Sequence, residues 1–273
     1  MTDRLRDALA TIDSWGADHA AVALVGPDGI VASHGDLDHE FRWASVTKLA
    51  TALAVLSAVD DGTIDLDEPA GPPGATVRHL LAHASGLPFE GEATLAAPGR
   101  LRIYSNPGFD RLGDLLGDRD GVTFEAALRT RVLLPLGMRR TRLVGRASEG
   151  LHGPLADLAG LARGLLRPLV VRPATLDSAA TVAFPGLKGV LPGVGRFDPL
   201  DWGLGFELHD GKDPHWMGRT NSPAALGHFG GSGTFLWVDP DVDRALVCLT
   251  DRDYGPWALA AWPPLSDAVL SSV

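Results

Sequence analysis

Strand-like segments stand only near the two ends of this 273-residue chain, and the long stretch between them reads as helix. The run HAAVALVGPDGIVASHG, residues 19–35, places apolar β-formers on either side of Pro27-Asp28-Gly29 and predicts a hairpin. WGLGFEL (202–208), GTFLWVDP (233–240) and RALVCLT (244–250) return to that character. Between about 63 and 175 the apolar spacing is helical in TVRHLLAHASGL, NPGFDRLGDLLGD, TFEAALRTRVLLPLG and PLADLAGLARGLL, with Gly- and Pro-rich turns and no convincing strand. No βαβ rhythm appears, so the strands are expected to pair antiparallel. The order predicts an α/β (α+β) fold: an antiparallel β-sheet flanked by helices, built from residues 1–62 and 176–273, with an all-helical insertion at 63–175.

Smaller elements complete that outline. MTDRLRDALATIDSWG reads as an amphipathic helix, and Leu49, Leu53, Leu56 and Val59 recur at helical spacing until Asp60-Asp61-Gly62 ends the run. The Gly- and Pro-rich stretch 181–225 reads as loop, and a helix over 263–272 closes the chain.

A formal net charge of −10 argues against a nucleic-acid or anionic-membrane surface, both of which need clustered Lys and Arg. No apolar run approaches the roughly 20 residues of a membrane span. The N-terminus lacks a continuous apolar segment of the signal-peptide kind, so a cytoplasmic protein is expected. Cys248 is the only cysteine and lies in an apolar run, which excludes an internal disulfide and predicts a buried thiol.

Chemistry enters at SVTK, residues 45–48. A serine at a helix start is ordinarily an N-cap, whereas a lysine in the first turn opposes the partial positive charge already there. If Ser45 is a nucleophile, it needs a base, and a residue three positions on returns to the same helix face. Lys48 meets that spacing. Its amine, ordinarily near pKa ~10.4, becomes a base near neutrality when desolvated. Lys48, Lys188 and Lys212 are the only lysines, and arginine, which stays protonated, could not replace Lys48 as a base.

Two further stretches carry candidate groups. In IYSNPG, Tyr104 offers a phenol for proton transfer and Asn106 an amide for orientation, against the plainer account of a core tyrosine before an Asn-Pro turn. In LGHFGGSGTFLWVDP (226–240), glycines at 230, 231 and 233 permit close backbone approach and N–H donation to an oxyanion, or else mark a bulge. An apolar strand follows them, which argues against a phosphate-cradling loop.

In order, SVTK at 45, YSN at 104 and HFG at 228 resemble the three motifs of the serine β-lactamase and penicillin-binding-protein superfamily. The Tyr-x-Asn second element points to the branch with class C β-lactamases, DD-peptidases and related esterases. The resemblance runs from about residue 20 to 250 and includes TVRHLLAHASGLP between the first two motifs. It implies Ser45 as the acylated nucleophile, with Lys48 and Tyr104 sharing its proton and Asn106 positioning the substrate carbonyl or amide. His228, Phe229 and Gly230 are then the third, substrate-binding motif, and the N–H groups of Ser45 and Gly231 the oxyanion hole. One departure stands out: the middle position usually carries a Thr or Ser hydroxyl for a substrate carboxylate, and here it is Phe229. Ser232 and Thr234 are the nearest hydroxyls in sequence.

His79 and His83 lie at i and i+4, but without the glutamate of H-E-x-x-H, so no metal site is expected. Gly230-Gly231-Ser232-Gly233-Thr234 lacks the last glycine of a nucleophile elbow and leads into a strand. Trp216 and Met217 read equally well as pocket lining or covering loop. The expected function is a serine hydrolase acting through an acyl-enzyme on a small ester or amide, without metal or cofactor; its expected partner is a small-molecule ester, amide or β-lactam-like substrate. The rivals are β-lactamase or DD-carboxypeptidase activity and a catalytically idle scaffold of the same fold.

Overall fold

A computed structural model describes residues 2–272. Its centre is a six-stranded antiparallel sheet, formed by β1 (Ala20–Gly26), β2 (Gly29–Gly35), β3 (Glu207–Leu208), β4 (Leu226–Gly230), β5 (Thr234–Asp239) and β6 (Arg244–Thr250). The order across the sheet is β2-β1-β6-β5-β4-β3. The first and last strand segments of the chain therefore meet in the middle, with Val22 opposite Cys248 and Ala23 opposite Val247.

Among the described residues, eight α-helices accompany the sheet: α1 (Asp3–Ala10), α2 (Thr47–Asp60), α3 (Val77–Leu81), α4 (Asn106–Asp120), α5 (Phe124–Leu128), α6 (Leu155–Leu166), α7 (Pro173–Ala179) and α8 (Pro256–Leu270). Side chains alternate across a pleated strand. Val22, Leu24, Phe235, Trp237, Leu246 and Cys248 face one way and pack with residues of α1 and α8. Their neighbours Ala21, Ala23, Leu236, Val238, Val247 and Leu249 face the other way and pack with α2 and α6. The sheet is thus covered on both faces. Helix α2 is buried on nearly every side from Thr47 to Leu56, as befits a helix between a sheet and other helices. Burial pushes the Cys248 thiol far up, so it stays protonated and inert.

The sheet flanked by helices agrees with the expected fold class, but the insertion is not all helical. Short strands at Arg102–Ile103, Arg142–Leu143 and Leu151–Pro154 interrupt it. Two of them pair outside the insertion: Leu151–Pro154 with Glu40–Arg42, and Arg102–Ile103 with Gly189–Val190. Strands of two to four residues held by such distant partners leave no local periodicity to read. We keep the division at 62 and 176 as a proposal from chain order, although α6 from the insertion packs directly on β1, β5 and β6.

Two other expectations change. Residues 189–191 and 195–197, read as loop, form a hairpin that joins Arg102–Ile103. The last helix starts at Pro256, not 263, and carries Pro263 and Pro264 inside it. Proline removes the N–H for the carbonyl four residues back, and Ala260, which loses its partner to Pro264, is exposed, so water can serve that group.

Arg102 ties this architecture to the site. It is 1% exposed, and its guanidinium donates to the carbonyls of Leu200 (3.0 Å), Ala82 (2.6 Å), Ala183 (2.6 Å) and Phe184 (3.1 Å), joining three loops two residues before Tyr104. Arg102→Met is expected to orphan four buried or half-buried acceptors and to lower unfolding stability by roughly 3 kcal/mol or more. Urea unfolding measures this, and a loss under about 1 kcal/mol would show that the guanidinium is not needed as a hub.

Candidate active site

Ser45 sits in a short 3-10 turn, Ala44–Val46, that leads directly into α2. The preceding residue, Ala44, has φ of 45°, a left-handed conformation that costs a residue with a Cβ roughly 1–2 kcal/mol. The turn is held in that shape from several sides. The Trp43 indole N–H donates to Gly153 O at 2.9 Å, and the Trp43 backbone N–H donates to Leu151 O at 2.9 Å. Ser232 Oγ donates to Arg42 O at 2.7 Å and Thr234 Oγ1 to Trp43 O at 2.9 Å. The two hydroxyls nearest Phe229 in sequence therefore brace the turn that carries Ser45 and are not available to take the place of a Thr or Ser hydroxyl at position 229.

Lys48 is fully buried one turn later. Its Nζ lies 3.0 Å from Ser45 Oγ, 2.6 Å from Asn106 Oδ1 and 2.8 Å from Ser148 O. Asn106 and Ser148 can offer only acceptors here, so two N–H bonds point to them. The third position of the amine then faces Ser45, as a donor in the ammonium form and as a lone pair in the free base. Burial drives the Lys48 pKa down to about 7, against the opposing pull of Asp110, Glu149 and Glu90. A lysine so poised can take a proton from the adjacent hydroxyl near neutral pH.

Tyr104 lies across the pocket, with Lys48 Nζ 4.8 Å from its ring centroid. Burial pushes its phenol well above the ordinary range; the Ser45 hydroxyl pulls the other way, and Glu207, Glu149 and Glu90 add to the rise. The phenol is thus kept as a proton donor. Of the two groups expected to share the serine proton, Lys48 is the one suited to receive it. Tyr104 OH lies 3.3 Å from His228 Nε2, while His228 Nδ1 lies 2.7 Å from Phe229 O. The carbonyl requires a proton on Nδ1, so Nε2 accepts from the phenol. Burial and the nearby Lys48 charge take His228 down to about 3, which leaves it neutral and unable to attract a carboxylate by charge.

His83 belongs to the scaffold beneath Tyr104. Its Nδ1 accepts from Ser105 N–H at 3.1 Å, its carbonyl from Ile103 N–H at 2.8 Å, and its ring packs 4.5 Å from that of Tyr104. Among the described residues, no three His, Cys, Asp or Glu side chains gather as a metal site would require.

A cavity of about 260 Å³ brings most of the candidates together: Ser45, Tyr104, Asn106, His228, Phe229 and Gly231 all line it. Gly230 does not. It packs against the Ser45 turn, where a Cβ would meet Trp43 O and Thr234 Oγ1 at 2.5 Å each, so its lack of a side chain lets β4 approach. Gly231 has open space around it, which leaves that side of its backbone accessible. Phe229 forms part of an aromatic wall, its ring 4.8 Å from Tyr254 and 5.6 Å from Trp216. Trp216 is buried behind it and does not line the cavity, so of the two accounts for Trp216 pocket lining is set aside.

Several residues of the site escaped the sequence reading. Glu90 accepts from Asn106 Nδ2 at 2.7 Å and pairs with Arg146 at 2.9 Å, so the amide expected to hold substrate is itself held between Lys48 and a carboxylate. Glu207 is fully buried on the pocket wall, accepting from His215 Nε2 at 2.7 Å and Trp216 Nε1 at 2.8 Å. Burial would raise its carboxyl, but His215, Lys212 and Trp216 outweigh this and keep it ionised. Neither glutamate lies in a motif; only the acidic residues just after ASGLP and WGLGF hinted at them.

Residues 14–270 match the model of the family described as Beta-lactamase. The backbone is similar to that of a beta-lactamase from Mycobacterium bovis, at 51% identity and a TM-score of 0.95, covering 97% of this chain and 98% of that one. Esterase EstB of Burkholderia gladioli is 29% identical, over 90% of this chain and 91% of its own. D-alanyl-D-alanine-carboxypeptidase/endopeptidase AmpH of Escherichia coli (strain K12) is 30% identical over 46% of each chain, so the match spans about half the length of that relative.

Proposed function

The chain belongs to the beta-lactamase family, and from that premise we propose that it is a serine hydrolase that forms an acyl-enzyme on Ser45 and favours esters of a small neutral acyl group over β-lactams. The observation that carries the reading is the buried Lys48 amine, 3.0 Å from Ser45 Oγ with its other two bonding directions taken by Asn106 and Ser148. The Lys48 free base takes the Ser45 proton as Oγ bonds to the substrate carbonyl carbon. The N–H groups of Ser45 and Gly231 receive the developing oxyanion. The Tyr104 phenol protonates the leaving oxygen as its bond to carbon breaks, and the Lys48 proton restores the phenol. Water then attacks the acyl carbon by the same route in reverse.

Preference for a neutral acyl group rests on what surrounds that centre. Phe229 offers a ring where a hydroxyl would hold a carboxylate, Ser232 and Thr234 are engaged with Arg42 and Trp43, and His228 is neutral. Glu90, Glu149 and Glu207 line the same cavity against one cation, Arg42. A substrate carboxylate entering it loses hydration and meets only the exposed Arg42, beside three carboxylates that oppose it.

Parallel kinetics with p-nitrophenyl butyrate and a chromogenic cephalosporin test this. The wild-type protein is expected to show the higher kcat/KM for the ester, and Phe229→Thr to raise the cephalosporin value about tenfold, the worth of one hydrogen bond to a charged group. A wild-type preference for the cephalosporin, or no gain from Phe229→Thr, would remove Phe229 as the determinant.

A further inference from the structure

A second cavity, of about 670 Å³, opens beside the first and shares Phe89, Tyr104 and Pro192 with it. Its size is that of a small-molecule site. The small sheet built on Arg102–Ile103 and the 189–197 hairpin supplies much of its wall, with Ile103, Val190 and Arg196 in one row of paired residues. Phe89 is 50% and Val190 47% exposed, both large apolar side chains left uncovered at the edge of a catalytic pocket.

The charge of this cavity differs from that of its neighbour. Lys188, Arg196 and Asp198 line it and are exposed, and no carboxylate among the described residues forms a salt bridge with Lys188 or Arg196. Arg102 also lines it, but its guanidinium is taken up by backbone carbonyls. The free charges sum to about one positive, in a chain whose formal net charge is −10 and next to a cavity lined by three glutamates.

Tyr104 decides which part of a substrate reaches this space. On the hydrolase reading above, on which this inference rests, its phenol protonates the leaving oxygen, so the leaving group must lie on the Tyr104 side. From there the way on runs past Phe89, whose ring stacks on Tyr104 at 5.6 Å. We propose that this cavity binds the alcohol part of the substrate, an alkyl or aryl chain that ends in a single carboxylate held by Lys188 and Arg196. A monoanion matches the single excess positive charge, and Asp198 opposes a more highly charged end group. The acyl part remains small and neutral in the glutamate-lined pocket.

Equilibrium binding to the Ser45→Ala protein tests the cavity apart from the chemistry, by calorimetric titration with 8-acetoxyoctanoate and with octyl acetate. The carboxylate ligand is expected to bind about fivefold more tightly, the yield of two exposed ion pairs, and K188A/R196A to remove most of that advantage. Equal affinity of the two ligands, or an advantage that persists in K188A/R196A, would overturn the proposal. Methyl hydrogen azelate carries its carboxylate on the acyl side, and an equal advantage for it would overturn the assignment to the leaving group. Wild-type turnover of p-nitrophenyl butyrate reports on the hydrolase reading separately, so failure of that reading and failure of the cavity give different patterns.

Discussion

Ser45→Ala is expected to lower kcat/KM for p-nitrophenyl butyrate by roughly 10⁴-fold or more, the scale on which loss of a nucleophile acts where a hydroxyl and its base work as a unit. Intact-mass measurement with slowly turned-over esters and β-lactams should show one acyl group on the wild-type chain and none on the variant. The fold should be little changed. Helix α2 has no side-chain N-cap, and Ser45 lies in the turn before it, so removing the hydroxyl forfeits no cap. Lys48 keeps its bonds to Asn106 and Ser148 when Ser45 Oγ is gone. Acylation of the alanine variant, or hydrolysis at the wild-type rate, would end the case for Ser45.

The second large effect belongs to Lys48. With its pKa at about 7, kcat/KM should rise tenfold per pH unit below neutrality and level off above it, as the free base becomes the main form. Lys48→Arg should lose roughly 10³-fold at the plateau and lose the ascending limb, because guanidinium keeps its proton across this range. The same titration acts on stability. The native pKa lies below the unfolded value of ~10.4, so between about pH 7 and that value the unfolded chain binds more protons, and stability rises with pH. Below about 7 both states are protonated and the cost of the buried charge is constant. Urea unfolding across this window, compared with Lys48→Met, separates the lysine from other groups. A rate profile flat through neutrality, or an ascending limb retained in Lys48→Arg, would assign the base to another residue.

Much of this site could be read without coordinates because its parts are local. Ser45 and Lys48 meet through one turn of backbone, a distance set by helix geometry whatever surrounds it. Tyr104 and Asn106 are two residues apart at the start of α4, where Asn106 opens the helix and Pro107 fits its first turn. The sheet was legible for a similar reason, since β1, β2, β5 and β6 are long enough for apolar runs and a turn signal to show. The glycines of 230–233 pointed to a close approach, though not to what approaches.

What the sequence determined by itself was the set of groups proposed for the chemistry and the presence of strands near both ends of the chain, both carried by spacing over a few residues. Only the tertiary structure decided how those groups behave. Lys48 owes its low pKa to burial among segments 58 and 100 residues away, through Asn106 and Ser148, and no local pattern reports that desolvation. The assignment of Ser232 and Thr234 to the Ser45 turn spans 190 and 191 residues, which is why they could be named from sequence but not placed. The pairing of Arg102–Ile103 with the 189–197 hairpin, which builds the second cavity, involves strands too short to leave a period. Covalent spacing along the chain fixes local geometry, whereas dielectric environment, charge balance and cavity shape arise only when distant segments pack and exclude water.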